Sequence, residues 1–379
     1  MKTKREDIHY CDVDIYKIRM AKPELNEDIV RLHHLYLTER HEIYKKKEIE
    51  KVPAPWTEDE VFLNYRFTNI RRELDRESKW LIQNVCEVDI PLKDKILNCI
   101  LFRTFNKSET SKLINMPIID IENIDLEYYK QIFIAKAKAD PAYVFFTPAF
   151  MTGGLKKGNA FKNAPYVRRT ATIIDAIGNV VRTGEYIDCR DFVNENDGYD
   201  IVDWEKNIPT RMLRFVQREA NDGLVDDILN AKDQKTVFDR LTTITGLGAF
   251  LAYQIFVDFT YIPEFKFSEN EFVVSGPGCS RGLDMYFKNR DGMNYEEALF
   301  WLRDNLEGVW KQYGLQYYPE ELFDHLEEFD RNYNVMMLEN SFCELQKLVK
   351  AKTETGRPRN RYTPTPTKQV NKTTLENFF

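Results

Sequence analysis

Ile244-Thr245-Gly246-Leu247-Gly248-Ala249-Phe250-Leu251-Ala252 has the form apolar-x-Gly-apolar-Gly-x-x-x-Ala, two glycines set just ahead of an apolar run. The segment before it, 235–243, has helical spacing, and 244–262 is long and apolar, so the spacing predicts a hairpin joining two helices. Glycines at such a turn let the backbone approach a phosphate, and the start of the second helix offers N–H groups without intrahelical partners. That is a way to grip a DNA strand without reading its bases. A tight helix–helix turn buried in a core would carry the same letters.

Working outward, apolar residues recur with helical spacing over 24–50 (Leu25, Ile29, Leu32, Leu35, Tyr36), and a helix is predicted over 56–84 with Thr57 as its N-cap. Another follows at 92–106, after which Asn106-Lys107-Ser108-Glu109 offers a new cap. From Tyr143 to Cys189 β-branched and aromatic residues alternate with Gly153-Gly154, Gly158, Gly178-Asn179 and Gly184, a pattern of hairpins. Helices resume at 208–221, 223–231 and 235–243, then at 294–312 and 319–350. Beyond Thr353 the chain is polar and proline-rich, a tether. The division is therefore an N-terminal helical part, 1–142; a β-rich insert, 143–190; a second helical part completing the body, 191–352; and a flexible basic tail, 353–379.

The 379 residues, 43% of them hydrophobic, are enough for a large core. No apolar run approaches the ~18 residues of a membrane span, and the first residues lack a signal peptide's apolar stretch, so the expected location is cytoplasmic: the host cytoplasm for a phage protein, the nucleus for a eukaryotic one. Cys11, Cys86, Cys99, Cys189, Cys279 and Cys343 form no CxxC pair, which points to reduced thiols and to no metal or cofactor. His33, His34 and His41 with Glu42 read as packed or solvated side chains rather than ligands. The net charge of −7 runs against a uniformly basic DNA face. The positive charge is concentrated at the end, where Lys347, Lys350, Lys352, Arg357, Arg359, Arg361, Lys368 and Lys372 meet only Glu354. Any DNA groove on the body must then be a focused stripe.

Three further runs hold candidate chemistry. Phe272-Val273-Val274-Ser275-Gly276-Pro277-Gly278-Cys279-Ser280-Arg281-Gly282 combines a Gly-Pro-Gly turn with Ser280 and Arg281, a fit for an anionic group or for an ordinary turn. On a helix, Asn69, Arg72 and Arg76 share a face, as do Arg71 and Asp75; a salt-bridged surface helix reads identically. Glu339, Cys343 and Lys347 also lie one turn apart, again as a solvated helix would have them.

Taken together, Arg40-His41-Glu42-Ile43-Tyr44-Lys45-Lys46-Lys47, Pro55-Trp56-Thr57 with Asp59, Phe67-Thr68-Asn69-Ile70-Arg71-Arg72-Glu73-Leu74-Asp75-Arg76, the hairpin running into Tyr253-Gln254 and Asp258, Gly276-Pro277-Gly278 with Arg281-Gly282, and Glu339-Asn340 with Cys343-Glu344 and Lys347 resemble the alpha-glutamyl/putrescinyl thymine pyrophosphorylase family. That family is also described as the helical domain associated with 5-hydroxymethyluracil DNA kinases. The resemblance extends over roughly residues 30–350. It implies a mainly α fold, a two-layer helix-hairpin-helix DNA glycosylase-like body with a small β-rich insert. It also implies an enzyme that hypermodifies thymine in DNA: a transferase placing an amino acid or polyamine on the 5-methylene of a phosphorylated 5-hydroxymethyluracil, with phosphate or pyrophosphate released. Because GxxxxGK[ST] is absent, the chain is not expected to be the kinase.

On that resemblance the base is flipped into a pocket. Arg72, Arg76 and Arg281 with Gly276, Gly278 and Ser280 face the leaving phosphate, Asp75 or Asp258 accepts the amine's proton, and Asn69 meets the base edge. Arg66, Arg103, Gly246, Gly248, Glu339, Asn340 and Lys347 complete the substrate- and DNA-binding candidates. Two alternatives stay open: a base-excision glycosylase or lyase, although Ser275 stands where its catalytic aspartate would, and a non-catalytic DNA-binding partner of a separate kinase. Finally, Lys372-Thr373-Thr374-Leu375-Glu376-Asn377-Phe378-Phe379 resembles a sliding-clamp binding peptide, with Lys372, Leu375, Phe378 and Phe379 as the contact residues.

Overall fold

A computed structural model describes residues 13–140, 143, 145–147, 201–244, 247–327 and 331–353, together with strand segments at 166–168, 173–174, 180–182 and 186–188. These residues are mainly helical. They divide into two units, Met1–Arg72 with Val273–Phe379, and Glu73–Phe272.

In the first unit Asp14 caps α1 (Ile15–Met20), its carboxylate accepting from the N–H groups of Tyr16 and Lys17. β1 (Glu24–Leu25) leads to α2 (Glu27–Tyr44), which loosens into a π-helical turn, Lys45–Ile49. The cap of α3 (Glu60–Asn64) is Asp59 rather than Thr57, whose hydroxyl instead accepts from the Asp59 N–H and donates to Glu39.

The helix predicted over 56–84 is interrupted. After α3 the chain turns extended at Tyr65, and the carbonyls of the next residues are taken by side chains. Arg40 donates to Phe67 O, Tyr36 to Thr68 O, and the Asn340 amide to Asn69 O and Ile70 O. With those acceptors engaged, no α-helical ladder forms there. Arg72–Leu74 makes a single 3-10 turn before α4 (Arg76–Leu81), so Asn69, Arg72 and Arg76 do not share a helix face. Arg71 lies outside any helix, its guanidinium 3.8 Å from Met337 Sδ and 5.7 Å from the Phe323 ring centre.

The second unit continues from α4 into a π-turn at Ile82–Cys86, then α5 (Leu92–Phe105), α6 (Ser108–Leu113) and α7 (Leu126–Ala139). Short antiparallel pairs join β2 (Tyr166–Arg168) to β5 (Tyr186–Asp188) and β3 (Ile173–Ile174) to β4 (Val180–Arg182). They fall where the sequence has its hairpin pattern. α8 (Ile201–Asn221) packs on α5 and α7, followed by α9 (Leu224–Leu229), α10 (Gln234–Thr242) and α11 (Ala249–Phe259). α5 is buried throughout Asp94–Phe105, the axis of this unit's core.

The chain returns to the first unit with α12 (Pro277–Tyr286) and β6 (Phe287–Asn289), which pairs antiparallel with β1. A capping box, Asn294 with Glu297, opens α13 (Tyr295–Gln312). The predicted helix 319–350 is two, α14 (Pro319–Leu322) and α15 (Val335–Lys352). α15 packs on α2, α12 and α13 and is buried on most of its circumference. Its approach to α12 is at backbone distance: a Cβ added at Gly282 would stand 2.3 Å from Phe342 O.

His33 of α2 is sealed inside this unit, with Nε2 2.8 Å from Ser341 Oγ and its ring stacked on Phe342 at 4.3 Å. Burial, aided by nearby His34, lowers its pKa from 6.5 to about 3. Below its ordinary pKa the unfolded chain binds a proton that the folded chain refuses, so this residue's stability is intact above pH 6.5 and falls as the pH drops toward 3. At about pH 5 the loss should be roughly 2 kcal/mol from His33. Urea titrations at pH 7 and about pH 5 should show the wild-type midpoint dropping, and His33→Phe dropping less; equal drops would contradict this assignment.

Candidate functional site

The first unit gathers polar chemistry where the start of α12 meets α15. Gly278 and Gly282, four residues apart on α12, face α15: a Cβ at Gly278 would come within 3.0 Å of Cys343 Sγ. Of the two glycines expected at the anion, Gly276 and Gly278, the latter packs against α15. The N–H groups at the loop are also engaged by carboxylates, Ser275 N–H donating to Glu296 Oε1 at 2.9 Å and Gly276 N–H to Glu339. Pro277, at the first helical position, has no N–H. The Ser275 and Ser280 hydroxyls lie 3.0 Å apart.

Glu339 is the centre of this arrangement. It is 2% exposed, and the Cys343 thiol donates to its Oε1 at 3.5 Å, which confirms that the two lie one turn apart on one face. Burial raises its carboxyl above the ordinary range, opposed by the Arg72 guanidinium, the Cys343 thiol and the Gly276 N–H. Burial also pushes the Cys279 and Cys343 thiols well up, so both stay protonated. Exposed Arg281 donates through Nε to Gln346 Oε1 at 3.0 Å, two turns along α15 from Glu339. A raised carboxyl beside a guanidinium, with a second guanidinium on the same helix pair, can exchange a proton and meet an anion.

Other candidates have structural partners. Asn340 holds the carbonyls of Asn69 and Ile70, and Asn69 is buried. Lys347 pairs with Glu344 on its own helix. Arg66 is exposed. In the second unit Arg76 donates to Glu77 at 2.6 and 2.8 Å, with Glu109 3.9 Å away, while Asp75 immediately precedes α4. Asp258, fully buried, takes two bonds from Arg103 at 2.5 and 2.6 Å; Arg103 also donates to Asn106 at 2.7 Å and Ser78 at 3.2 Å. This is a closed interior ion pair rather than an accessible base.

Gly248 is the exposed N-cap of α11, with open space where a Cβ would be. Thr245 and Gly246 lie outside the described residues, as do the tail and its clamp-type residues Lys372, Leu375, Phe378 and Phe379. Among the described residues no group of three or more His, Cys, Asp or Glu side chains could hold a metal ion, and no helix is long and apolar enough to cross a membrane. Glu296 and Gln346 were not singled out from sequence. Glu296 could have been suspected, because it sits in the first turn of a helix with a clear Asn294 cap.

The family described as "5-hmdU DNA kinase, helical domain" matches residues 27–357, and the chain belongs to it. A 5-hmdU DNA kinase of Bacillus phage SP10 is 22% identical over 353 residues, which cover 90% of this chain and 48% of that protein. The chain therefore spans about half the length of this relative. No solved structure matches.

If the Arg103–Asp258 pair is structural, Asp258→Asn should cost about 3–5 kcal/mol of folding stability by leaving a guanidinium uncompensated in the interior. Replacing both partners with apolar residues should recover part of that loss in a urea titration. A variant that keeps its denaturation midpoint but loses activity would return Asp258 to the chemistry.

Proposed function

We propose that the chain works in thymine hypermodification of DNA, transferring an amino acid or amine onto the 5-methylene of a phosphorylated 5-hydroxymethyluracil base. The observation that carries this reading is the family match over 27–357, combined with a buried carboxyl raised by burial beside the Arg72 guanidinium, and with Arg281 held at Gln346 two turns along the same helix. In this reading the amine nitrogen bonds to the methylene carbon as the carbon–oxygen bond to the phosphoryl group breaks. The departing oxygen keeps the electron pair, and Glu339 takes the amine's proton. Arg72 and Arg281 offset the leaving group's charge. Glu339 replaces Asp258 as proton acceptor because Asp258 is committed to Arg103. A helix-hairpin-helix grip at 244–252 belongs to the same proposal, with Gly248 and Phe250 exposed at the start of α11.

One observation favours a second reading. The relative named as a kinase is about twice as long as the aligned region, so a helical domain could present DNA to a separate kinase rather than act alone.

Purified protein, a duplex bearing a phosphorylated or pyrophosphorylated 5-hydroxymethyluracil, and a panel of amino acids and polyamines should yield an amine-substituted nucleoside by mass spectrometry. Product appearing only when kinase and ATP are present throughout would favour the escort reading, and abasic sites would favour a glycosylase. Glu339→Gln should lower turnover by about 10²–10⁴-fold with DNA binding kept, and Arg281→Ala by about 10²-fold or more. Unchanged turnover in both variants would remove this helix pair from the mechanism.

A further inference from the structure

The first unit contains a second cluster that the transfer reading does not use. His41, near the end of α2, is 1% exposed, and neither of its ring nitrogens meets a hydrogen-bond partner among the described residues. The His325 ring stacks on it at 5.0 Å and 26°, with Nδ1 facing the Asp324 carboxylate at 3.7 Å and Nε2 meeting no hydrogen-bond partner among the described residues. Phe323 meets the His41 ring edge-on at 4.7 Å and Tyr44 lies 5.6 Å away. A buried polar ring with unsatisfied nitrogens is costly unless something hydrogen-bonds it.

The electrostatic surroundings specify what that partner would be. After burial itself, the ionisable groups that weigh most on His41 are His325, Arg71, Lys45 and Arg40, and each lowers its pKa. Asp324 lies 3.0 Å from Lys45 Nζ and 3.7 Å from His325 Nδ1. Lys45 also donates to Glu321 O at 3.2 Å, and its side chain remains 15% exposed, which leaves it as the outer wall of the cluster. The α-helix widens into its π-turn at Lys45, the kind of local departure that re-aims side chains at functional positions.

We propose that His41, His325, Lys45 and Arg71 form an oxyanion site that takes a phosphate-type group. The imidazole N–H groups, the Lys45 ammonium and the Arg71 guanidinium supply donors of the right sign, and the aromatic rings of Phe323 and Tyr44 exclude water from one side. Burial, followed by the positive charge of its neighbours, drives the His41 pKa down to about 2, so the ring is neutral without an anion. A neutral ring still offers one N–H to an anion, and the cationic neighbours supply the charge. The site stands independently of the transfer reading. Free phosphate or pyrophosphate, and a phosphate carried on a nucleic-acid end, share this chemistry.

The test is a thermal-unfolding titration of the full chain at one fixed near-neutral pH, with inorganic phosphate, pyrophosphate, and a short thymidine oligonucleotide with and without a 5′-phosphate, at matched ionic strength. The wild-type midpoint should rise with phosphate or pyrophosphate. A response confined to the 5′-phosphorylated oligonucleotide would assign the site to a strand end instead. His41→Phe should keep or raise the midpoint without anion and lose the response. Lys45→Met, a partly exposed substitution that leaves the core intact, should weaken apparent affinity about tenfold and carries the test if His41→Phe does not fold. No response in the wild type to any of these probes, or an undiminished response in Lys45→Met, would overturn the site.

Discussion

The contact between Gly282 and the carbonyl of Phe342 governs the first unit. Because α12 has no side chain at that point, its backbone rests directly on α15, and every neighbouring position is fixed by that contact. One turn earlier, Gly278 comes up against Cys343; before it, Gly276 reaches Glu339; and on the adjoining face Arg281 reaches Gln346. A larger residue at Gly282 would have to push against main chain, not against a side chain that can rotate away. The acid and the thiol therefore stand against α12 because of helix packing rather than a specialised loop.

α15 also illustrates how a helix rich in polar residues can lie in a core. Asn340 holds two carbonyls of the segment after α3, Ser341 meets His33, Glu344 meets Lys347, and Gln346 meets Arg281. These bonds tie distant chain segments to one helix and leave few alternatives in register, since each mismatch would strand a buried polar group. Glu339 differs from its neighbours in what it meets: a weakly donating thiol, one N–H and a nearby guanidinium hold a charge that burial opposes. Burial leaves that carboxyl raised above the ordinary range, a feature of carboxyls that take part in proton transfer.

Much of the helical scaffold was legible from sequence. The segments at 92–106 and 294–312 are found within a residue or so of their expected limits, because apolar spacing and local caps decide them. The break after α3 was not legible, because it is imposed by Arg40, Tyr36 and Asn340, none of them local to the carbonyls they bind. The run from Gly276 to Gly282 stayed open between an anion site and a turn for a related reason: the close contacts of Gly278 and Gly282 depend on the partner helix, which the local sequence does not show. Likewise nothing local to Asp258 announces a guanidinium 155 residues away. The pairing of His41 with His325 belongs to the same class, visible only once α2 and the segment after α14 are brought together.

The acidic balance of the chain bears on how such a body could act on DNA. A net charge of −7 gives little long-range attraction to a polyanion, so affinity has to come from groups in contact with the strand or the base. On the proposed reading, that suits a substrate base carrying its own phosphoryl charge. Recognition by a few localised cations rewards the modified base over the unmodified duplex, whereas a broadly basic face would hold both alike. Specificity for the modified nucleotide would then follow from what the surface lacks as much as from what the interior supplies.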